Sequence, residues 1–334
     1  MSRYRWPSPP STGSSRWRHV VVEAPRVTVL AGGIGAARFL AGLQRVVPPE
    51  SITAVCNVGD DLDWFGLKVC PDIDSVLYTL AGVEGADGWG VRDDTRHTLE
   101  SLRALGGETW FGIGDADLAT HLFRTGRLRQ EETLSEATAA LARARGVGVT
   151  VLPVTDDPHP TVVRTADGDL AFQDYFVRRH AAVPITGVSF PGAPTARPAP
   201  GVLAAIRDCD LLCVAPSNPL VSIAPLLALA EVDAAVRESR ARRVALSPIV
   251  GGAAIKGPAA AMLATLGHDV SALGVARMYA SLIDLFVLDT VDAELVPAVR
   301  ALGLEAVAVD TMMVGAEGRE RVARNVLYAA GFLD

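Results

Sequence analysis

The feature that most constrains the fold is the segment that begins at Val27. VTVL is a short apolar run, AGGIGAAR is rich in glycine, and residues 36–46 carry apolar side chains at helical spacing. These three parts predict a buried strand, a tight loop and a helix whose N-terminus faces the loop. A helix N-terminus presents backbone N–H groups that bind phosphate well, but the same pattern also serves as a plain turn, so both interpretations stay open.

The glycine loop is not a complete dinucleotide fingerprint. That fingerprint needs glycine at all three positions of GxGxxG. Gly33 and Gly35 fit the first two positions, but Arg38 occupies the third. The substitution weakens the case for a nicotinamide-dependent oxidoreductase and places a cation near the loop.

Further apolar runs alternate with helical patterns along the rest of the chain. The predicted strands after the first are residues 52–56, 210–216, 243–246, 285–289 and 305–310. Strands that alternate with helices predict an α/β fold with a doubly wound, mostly parallel, Rossmann-like sheet. Ligands of such sheets bind outside the carboxyl ends of the strands, so we expect the site at that edge.

The predicted domain organisation has three parts. Residues 1–26 are rich in proline, serine and glycine and are expected to be a disordered lead-in. Residues 27–334 are expected to form a single domain. Within it, residues 88–200 have a mixed α+β pattern and predict an inserted subdomain long enough to roof a cleft.

Acidic residues concentrate in an otherwise apolar stretch, NVGDDLDWFGLKVCPDIDSVLYTL, at residues 57–80. Its carboxylates are Asp60, Asp61, Asp63, Asp72 and Asp74. Buried like charges need a metal ion, a basic side chain or a proton to neutralise them. The stretch is therefore the first candidate for chemistry, although acids in the first turn of a helix after Pro71 can also act as caps.

Composition excludes several classes of protein. A net charge of −7 argues against general nucleic-acid binding, because no basic excess is present to replace the counterions of a phosphate backbone. No apolar run approaches the roughly 18 residues that a membrane span requires. The four cysteines show no ligand spacing and no disulfide framework. We therefore expect a cytoplasmic protein with reduced thiols.

Several motifs together resemble one known family, the phospholactate transferases of deazaflavin coenzyme F420 biosynthesis, and most of all its actinobacterial members. The resemblance runs from about Val27 to Gly331. Its motifs are AGGIGAARFLAGL, NVGDD, CPDIDSVLYTLAG, WGVRDDT, GIGDADLATHL, FQDYFVR, APSNPLVSI and SPIVGGAAIKGPA.

The resemblance implies a magnesium-dependent transfer. Family members take a donor activated by guanosine diphosphate that carries lactate or enolpyruvate on its terminal phosphate. They pass the phosphorylated unit to the ribityl hydroxyl of 7,8-didemethyl-8-hydroxy-5-deazariboflavin (Fo) and release GMP. Such phosphoryl chemistry depends mainly on positioning and charge neutralisation, which suits a sequence rich in carboxylates and glycine loops.

The matched motifs also imply two substrate sites. The resemblance places Asp74 and Gly112 beside the deazaflavin, although the family often has a lysine near Gly112 that is replaced here. The guanosine diphosphate would be cradled by Gly32, Gly33, Gly35, Ser217 and Asn218.

We predict Asp61 and Asp74 as the Mg²⁺ ligands, since this ion prefers oxygen ligands and needs only one or two carboxylates. Asp60 is the candidate base or orienter for the attacking hydroxyl. Asp60 and Asp61 are both catalytic candidates, and the sequence does not distinguish their roles.

One alternative function belongs to a different class. A regulatory nucleotide-sugar-binding protein of the gluconeogenesis-factor type begins with a similar glycine loop, but its aspartate pair typically continues into a Gly/Ser-rich loop. Here the pair continues into LDWFGLKVCPDID, which favours the transferase. The donor, lactyl or enolpyruvyl, stays open, and so does a homodimer.

Overall fold

A computed structural model describes residues 24–333. Residues 1–23, and with them most of the lead-in predicted at 1–26, lie outside the described part of the chain. Within it the strands are β1 (Val27–Ala31), β2 (Ile52–Cys56), β3 (Leu62–Trp64), β4 (Leu67–Val69), β5 (Thr150–Pro153), β6 (Val162–Thr165), β7 (Gly168–Ala171), β8 (Ile185–Ser189), β9 (Leu211–Val214), β10 (Arg242–Leu246), β11 (Ile249–Val250), β12 (Ala253–Ala254), β13 (Leu285–Asp289) and β14 (Glu305–Val309).

The α-helices are α1 (Gly33–Leu43), α2 (Pro71–Leu80), α3 (His97–Ala104), α4 (Asp115–Leu128), α5 (Leu134–Ala144), α6 (Val202–Asp208), α7 (Ala224–Leu227), α8 (Ala230–Glu238), α9 (Ala259–Thr265), α10 (Ala272–Tyr279), α11 (Val296–Arg300) and α12 (Gly315–Ala329). Short 3₁₀ segments occupy Pro49–Ser51 and Thr290–Leu295, and π-helical turns occupy Asp174–Arg178 and Pro219–Ile223.

The core of the molecule is a seven-stranded sheet with the order β14-β13-β10-β9-β1-β2-β5. Every pairing in this sheet is parallel. The chain turns in opposite directions from β1, toward β2 on one side and toward β9 on the other. The predicted doubly wound α/β fold is confirmed, with its topological switch point between β1 and β9.

Helices cover the sheet because a parallel sheet must bury both of its faces. All five residues of β1 are buried, as are all four of β9. Helix α1 packs against α2 and α12, while α6 packs against α8. Two groups of contacting helices of this kind are typical of a doubly wound sheet.

The segment predicted as an inserted subdomain, 88–200, has the mixed composition expected of it. It contains α3, α4, α5 and the antiparallel sheet β7-β6-β8, with residues 166–167 connecting β6 to β7. However, β5 lies in the same segment and pairs with β2 as an edge strand of the central sheet. The insertion therefore passes through the main sheet instead of standing apart from it.

Within residues 24–333, no single helix combines the length and the apolar composition of a membrane span. One bent pair, Pro219–Leu227 with Ala230–Glu238, meets the criterion on combined length and composition only, and its two helices meet at 89°.

Candidate active site

A cleft of about 420 Å³ opens at the carboxyl edge of the central sheet. Five strand ends contribute to it: the segments after β1, β2, β9, β10 and β14 all supply lining residues. The cleft also lies at the switch point between β1 and β9, where open α/β sheets bind their ligands. The predicted location of the site is thus the location of the main cavity.

The glycine loop brings the N-terminus of α1 against a carboxylate. Gly32 is the N-cap residue and Gly33 has φ +69°, a conformation that favours glycine. A Cβ on Gly32 would lie 2.7 Å from Asp72 Oδ2, so a side chain there would displace the carboxylate. A Cβ on Gly35 would overlap the carbonyl oxygen of Pro216. All three predicted glycines line the cleft, but Gly35 serves the packing of α1 beside Pro216.

Ser217 and Asn218 follow β9 and also line the cleft, as predicted. The Ser217 hydroxyl donates to the carbonyl of Gly32 at 2.7 Å and so ties the glycine loop to the end of β9. The Asn218 side-chain oxygen accepts from the N–H of Leu220 at 2.9 Å and caps the π-helical turn. Both residues therefore shape the wall beside α1.

Two buried carboxyl groups, those of Asp60 and Asp72, meet beside the glycine loop within hydrogen-bonding reach of each other. Asn57 fixes Asp72, since its Nδ2 donates to Asp72 Oδ2 at 2.9 Å. Gln173, from the inserted segment, donates to the main-chain oxygen of Asp60 at 3.1 Å. Asp60 Oδ1 is buried and has no hydrogen-bond partner among the described residues.

Burial dominates the electrostatics of this pair. Burial is the main cause that raises the pKa of Asp72 to about 6, against hydrogen bonds from Asn57 and from the Gly33 backbone that favour its charged form. Burial, followed by the charge of Asp72, raises the pKa of Asp60 well above its usual range. The pair therefore holds a proton unless a cation replaces it.

Asp61, the neighbour of Asp60 in sequence, has a different environment. Its Oδ2 lies 3.1 Å from Lys68 Nζ and accepts from the Cys70 thiol at 3.2 Å. Asp61 is not among the residues that line the cleft. Its charge is already balanced by a lysine.

Asp74 lines the cleft but is paired with a buried arginine. Arg124 is 0% exposed and binds both carboxylate oxygens of Asp74, with Nη1 3.1 Å from Oδ2. His121 lies between Asp74 Oδ2, at 3.6 Å, and Asp117 Oδ1, at 3.3 Å. Tyr78 completes the network by donating to Asp117 Oδ1 at 2.6 Å. Asp74 on this wall thus has its counter-charge in Arg124.

Gly112, the second residue predicted to contact the deazaflavin, lines the cleft next to Phe111. Trp110 and Phe111 continue into an aromatic cluster, because the rings of Trp64 and Trp110 meet edge to face at 4.7 Å. A Cβ on Gly112 would lie 3.7 Å from Arg96 Nη1, an ordinary contact. Phe111 gives this end of the cleft an apolar wall.

The cleft therefore brings together eight of the nine predicted site residues, all except Asp61. The prediction that Asp61 and Asp74 bind the metal stays a prediction, but their ion pairs with Lys68 and Arg124 weigh against it. Among the described residues, no group of three or more His, Cys, Asp or Glu side chains could hold a metal ion. A site for an ion that keeps several waters needs fewer ligands than that.

Sequence patterns assign no role to His121 and none beyond helix capping to Asp72. In the structure His121 is 1% exposed between two carboxylates. The signal for Asp72 was its place as the first acid of PDID, directly after a strand and a proline. Gln173 and Arg124 gave no local signal, because their partners are remote in sequence.

A family model and similar proteins of known name both place this chain in the same family. Residues 27–327 match the model of the family described as 2-phospho-L-lactate transferase CofD. A protein of Streptomyces coelicolor named phosphoenolpyruvate transferase is 45% identical over 312 residues, which cover 91% of this chain and 98% of that protein. A protein of the same name from Nocardia farcinica is 37% identical, with 92% and 95% of the two chains covered.

A crystal structure of a UPF0052 family member from Bacillus halodurans superposes with a TM-score of 0.60 at 19% identity, and the match covers 91% of this chain and 99% of that one. That likeness shows the fold alone. The family model and the curated relatives span nearly the whole of the described chain. The chain therefore belongs to the 2-phospho-L-lactate transferase CofD family.

Proposed function

We propose that this chain transfers a phosphoenolpyruvyl or phospholactyl group from a donor activated by guanosine diphosphate to the ribityl hydroxyl of Fo. GMP leaves, and the product is dehydro-F420-0 or F420-0. The relatives named phosphoenolpyruvate transferase favour the enolpyruvyl donor.

The observation that carries the proposal is the meeting of a glycine-capped helix N-terminus with the Asp60–Asp72 carboxyl pair in one cleft. A helix N-terminus suits phosphate, and a buried carboxyl pair suits a divalent cation. An alcohol attacking a diphosphate needs both, because the negative charge of the phosphates must be neutralised while the reactants are held in line.

Asp60 and Asp72 are the residues that we assign to Mg²⁺. Their carboxyl groups repel each other, and Asp60 Oδ1 is buried without a partner in the described chain. Asn57 and Gln173 hold the two side chains in place, as groups around a metal site generally do. When bound, the ion would neutralise the diphosphate and polarise the phosphorus under attack.

The donor would lie along the N-terminus of α1 and the end of β9. Gly32 and Gly33 line the cleft at the start of the helix, and Ser217 fixes the loop through the carbonyl of Gly32. This assignment agrees with the predicted cradle, except that Gly35 contributes by packing and not by contact.

The acceptor would lie against the apolar wall. Phe111 and Gly112 offer an apolar surface for the deazaflavin ring, and the contacts of Asp74 with Arg124 and His121 tie the neighbouring wall together. One carboxylate oxygen of Asp60 is enough for a cation. The other can accept the hydrogen bond of the attacking hydroxyl and orient it.

Incubation of the protein with Fo, Mg²⁺ and either donor, followed by mass detection, tests the proposal. We expect a product heavier than Fo by the transferred unit, together with GMP, only when Mg²⁺ is present. Tight binding of a nucleotide sugar, with no product from either donor, would favour the regulatory alternative and overturn the proposal.

A further inference from the structure

Two cationic side chains line the cleft, Arg38 on α1 and Lys256 on the loop after β12. Within the described chain they are the only arginine and lysine among the lining residues. The acids that line the same cleft are more numerous: Asp60, Asp72, Asp74 and Asp117. Arg38 and Lys256 are therefore the lining side chains that can offer positive charge to an anionic ligand.

Arg38 has no hydrogen-bond or ion-pair partner among residues 24–333, unlike Arg124 or Lys68. Glu84, whose negative charge acts on Arg38, is already bound by Arg319 at 2.9 Å and approached by Arg92 at 3.9 Å. Burial and the neighbouring charge of Arg319 lower the pKa of Arg38. A half-buried guanidinium in this setting gains by binding an anion.

Lys256, on the loop after β12, lines the same cleft as Arg38. Its Nζ donates to the main-chain oxygen of Asp87 at 2.6 Å, and no carboxylate among residues 24–333 forms an ion pair with it. The residue after Asp87 is Gly88, which packs against Ile34. A Cβ on Gly88 would lie only 2.9 Å from the Ile34 side chain. Ile34 stands one helical turn before Arg38, so the contact places Lys256 near the same end of the cleft.

We propose that Arg38 and Lys256 form an anion subsite that binds an oxyanion of the donor. The inference rests on the proposed function, since the donor carries both a diphosphate and the carboxylate of its three-carbon unit. The Asp60–Asp72 site can neutralise only part of that charge. The guanidinium suits planar, bidentate recognition of either group, and the lysine adds a point charge.

Arg38→Gln and Lys256→Gln test the subsite, with Arg45→Gln as the control. Arg45 lies just beyond α1 and pairs on the surface with Glu320 at 3.0 Å, so its loss should leave donor binding unchanged. We expect Arg38→Gln to raise the donor KM about 10-fold or more, Lys256→Gln to raise it less, and Arg38→Lys to recover part of the loss. Fo binding, followed by fluorescence, should stay at the wild-type level in all of them.

Calorimetry with GDP identifies the oxyanion. Weaker GDP binding by Arg38→Gln would assign the subsite to the diphosphate, whereas unchanged GDP binding with a raised donor KM would assign it to the carboxylate. If neither the GDP affinity nor the donor KM of Arg38→Gln and Lys256→Gln changes by more than 2-fold, the proposed subsite does not exist. Wild-type protein that forms no product would instead contradict the proposed function, and GDP binding would still test Arg38 independently of turnover.

Discussion

Asp60 and Asp72 come from different segments, the end of β2 and the first turn of α2, yet their carboxyl groups lie within hydrogen-bonding reach of each other beside Gly33. Neither has an ion-pair partner among the described residues. The neighbouring acids Asp61 and Asp74 do, with Lys68 and Arg124. Asp60 and Asp72 are therefore available to bind a cation, whereas Asp61 and Asp74 already form ion pairs within the protein.

The first prediction follows from that separation. Asp60→Asn and Asp72→Asn should each lower kcat by roughly 100-fold or more, because each removes a charge that positions the cation at the reacting phosphate. Asp63→Asn is the matched control, since Asp63 belongs to the same acidic stretch but is exposed on β3. Initial rates at saturating Fo and donor measure the effect. Full activity in both variants would remove the pair from the mechanism.

The second prediction concerns Asp74 and Arg124. Asp74→Asn leaves a fully buried guanidinium without its counter-charge, and breaking such a pair costs about 3–5 kcal/mol. Urea unfolding should show this loss, and the double variant Asp74→Asn with Arg124→Met should recover much of it. An Asp74→Asn protein with wild-type stability but no activity would instead support the sequence-based prediction that Asp74 is a metal ligand.

The third prediction separates two glycines. Gly35→Ala should lower the free energy of unfolding by about 1–3 kcal/mol, because the new methyl group would overlap the carbonyl of Pro216. Gly126→Ala on the exposed face of α4 meets nothing within 4 Å and should raise stability by about 0.5–1 kcal/mol. Equal effects of the two substitutions on thermal unfolding would show that α1 does not need its close approach to Pro216.

Sequence patterns predicted those elements whose structure depends on residues close together in the chain. The apolar run of β1, the glycines that follow it and the proline that opens α2 each act within a few residues, and all three elements appear where the sequence placed them. The position of the cleft followed as well, because parallel strands share one carboxyl edge. Ser217 and Asn218 were predicted beside the glycine loop for the same reason, because they follow another strand of the sheet.

The division of roles among the aspartates could not be predicted in this way. Asp61 and Asp74 are neutralised by Lys68 and Arg124, and the partner of Asp74 stands on another helix, far away in sequence. Pairing of β5 with β2 depends likewise on a long-range contact that crosses the predicted insertion. Sequence patterns show periodicity and local turns, whereas the ion pairs of these aspartates and the pairing of β5 with β2 depend on tertiary packing.

The position of the divalent cation distinguishes the pair Asp60 and Asp72 from the pair Asp61 and Asp74 as its ligands. Crystals grown with GDP and Mn²⁺, as a stand-in for Mg²⁺, would reveal the ion by its anomalous scattering. We predict a peak bound by carboxylate oxygens of both Asp60 and Asp72, at a distance of about 2.1 Å from each, as is usual for Mg²⁺. A peak bound by Asp61 and Asp74, or one that neither Asp60 nor Asp72 coordinates, would contradict the account.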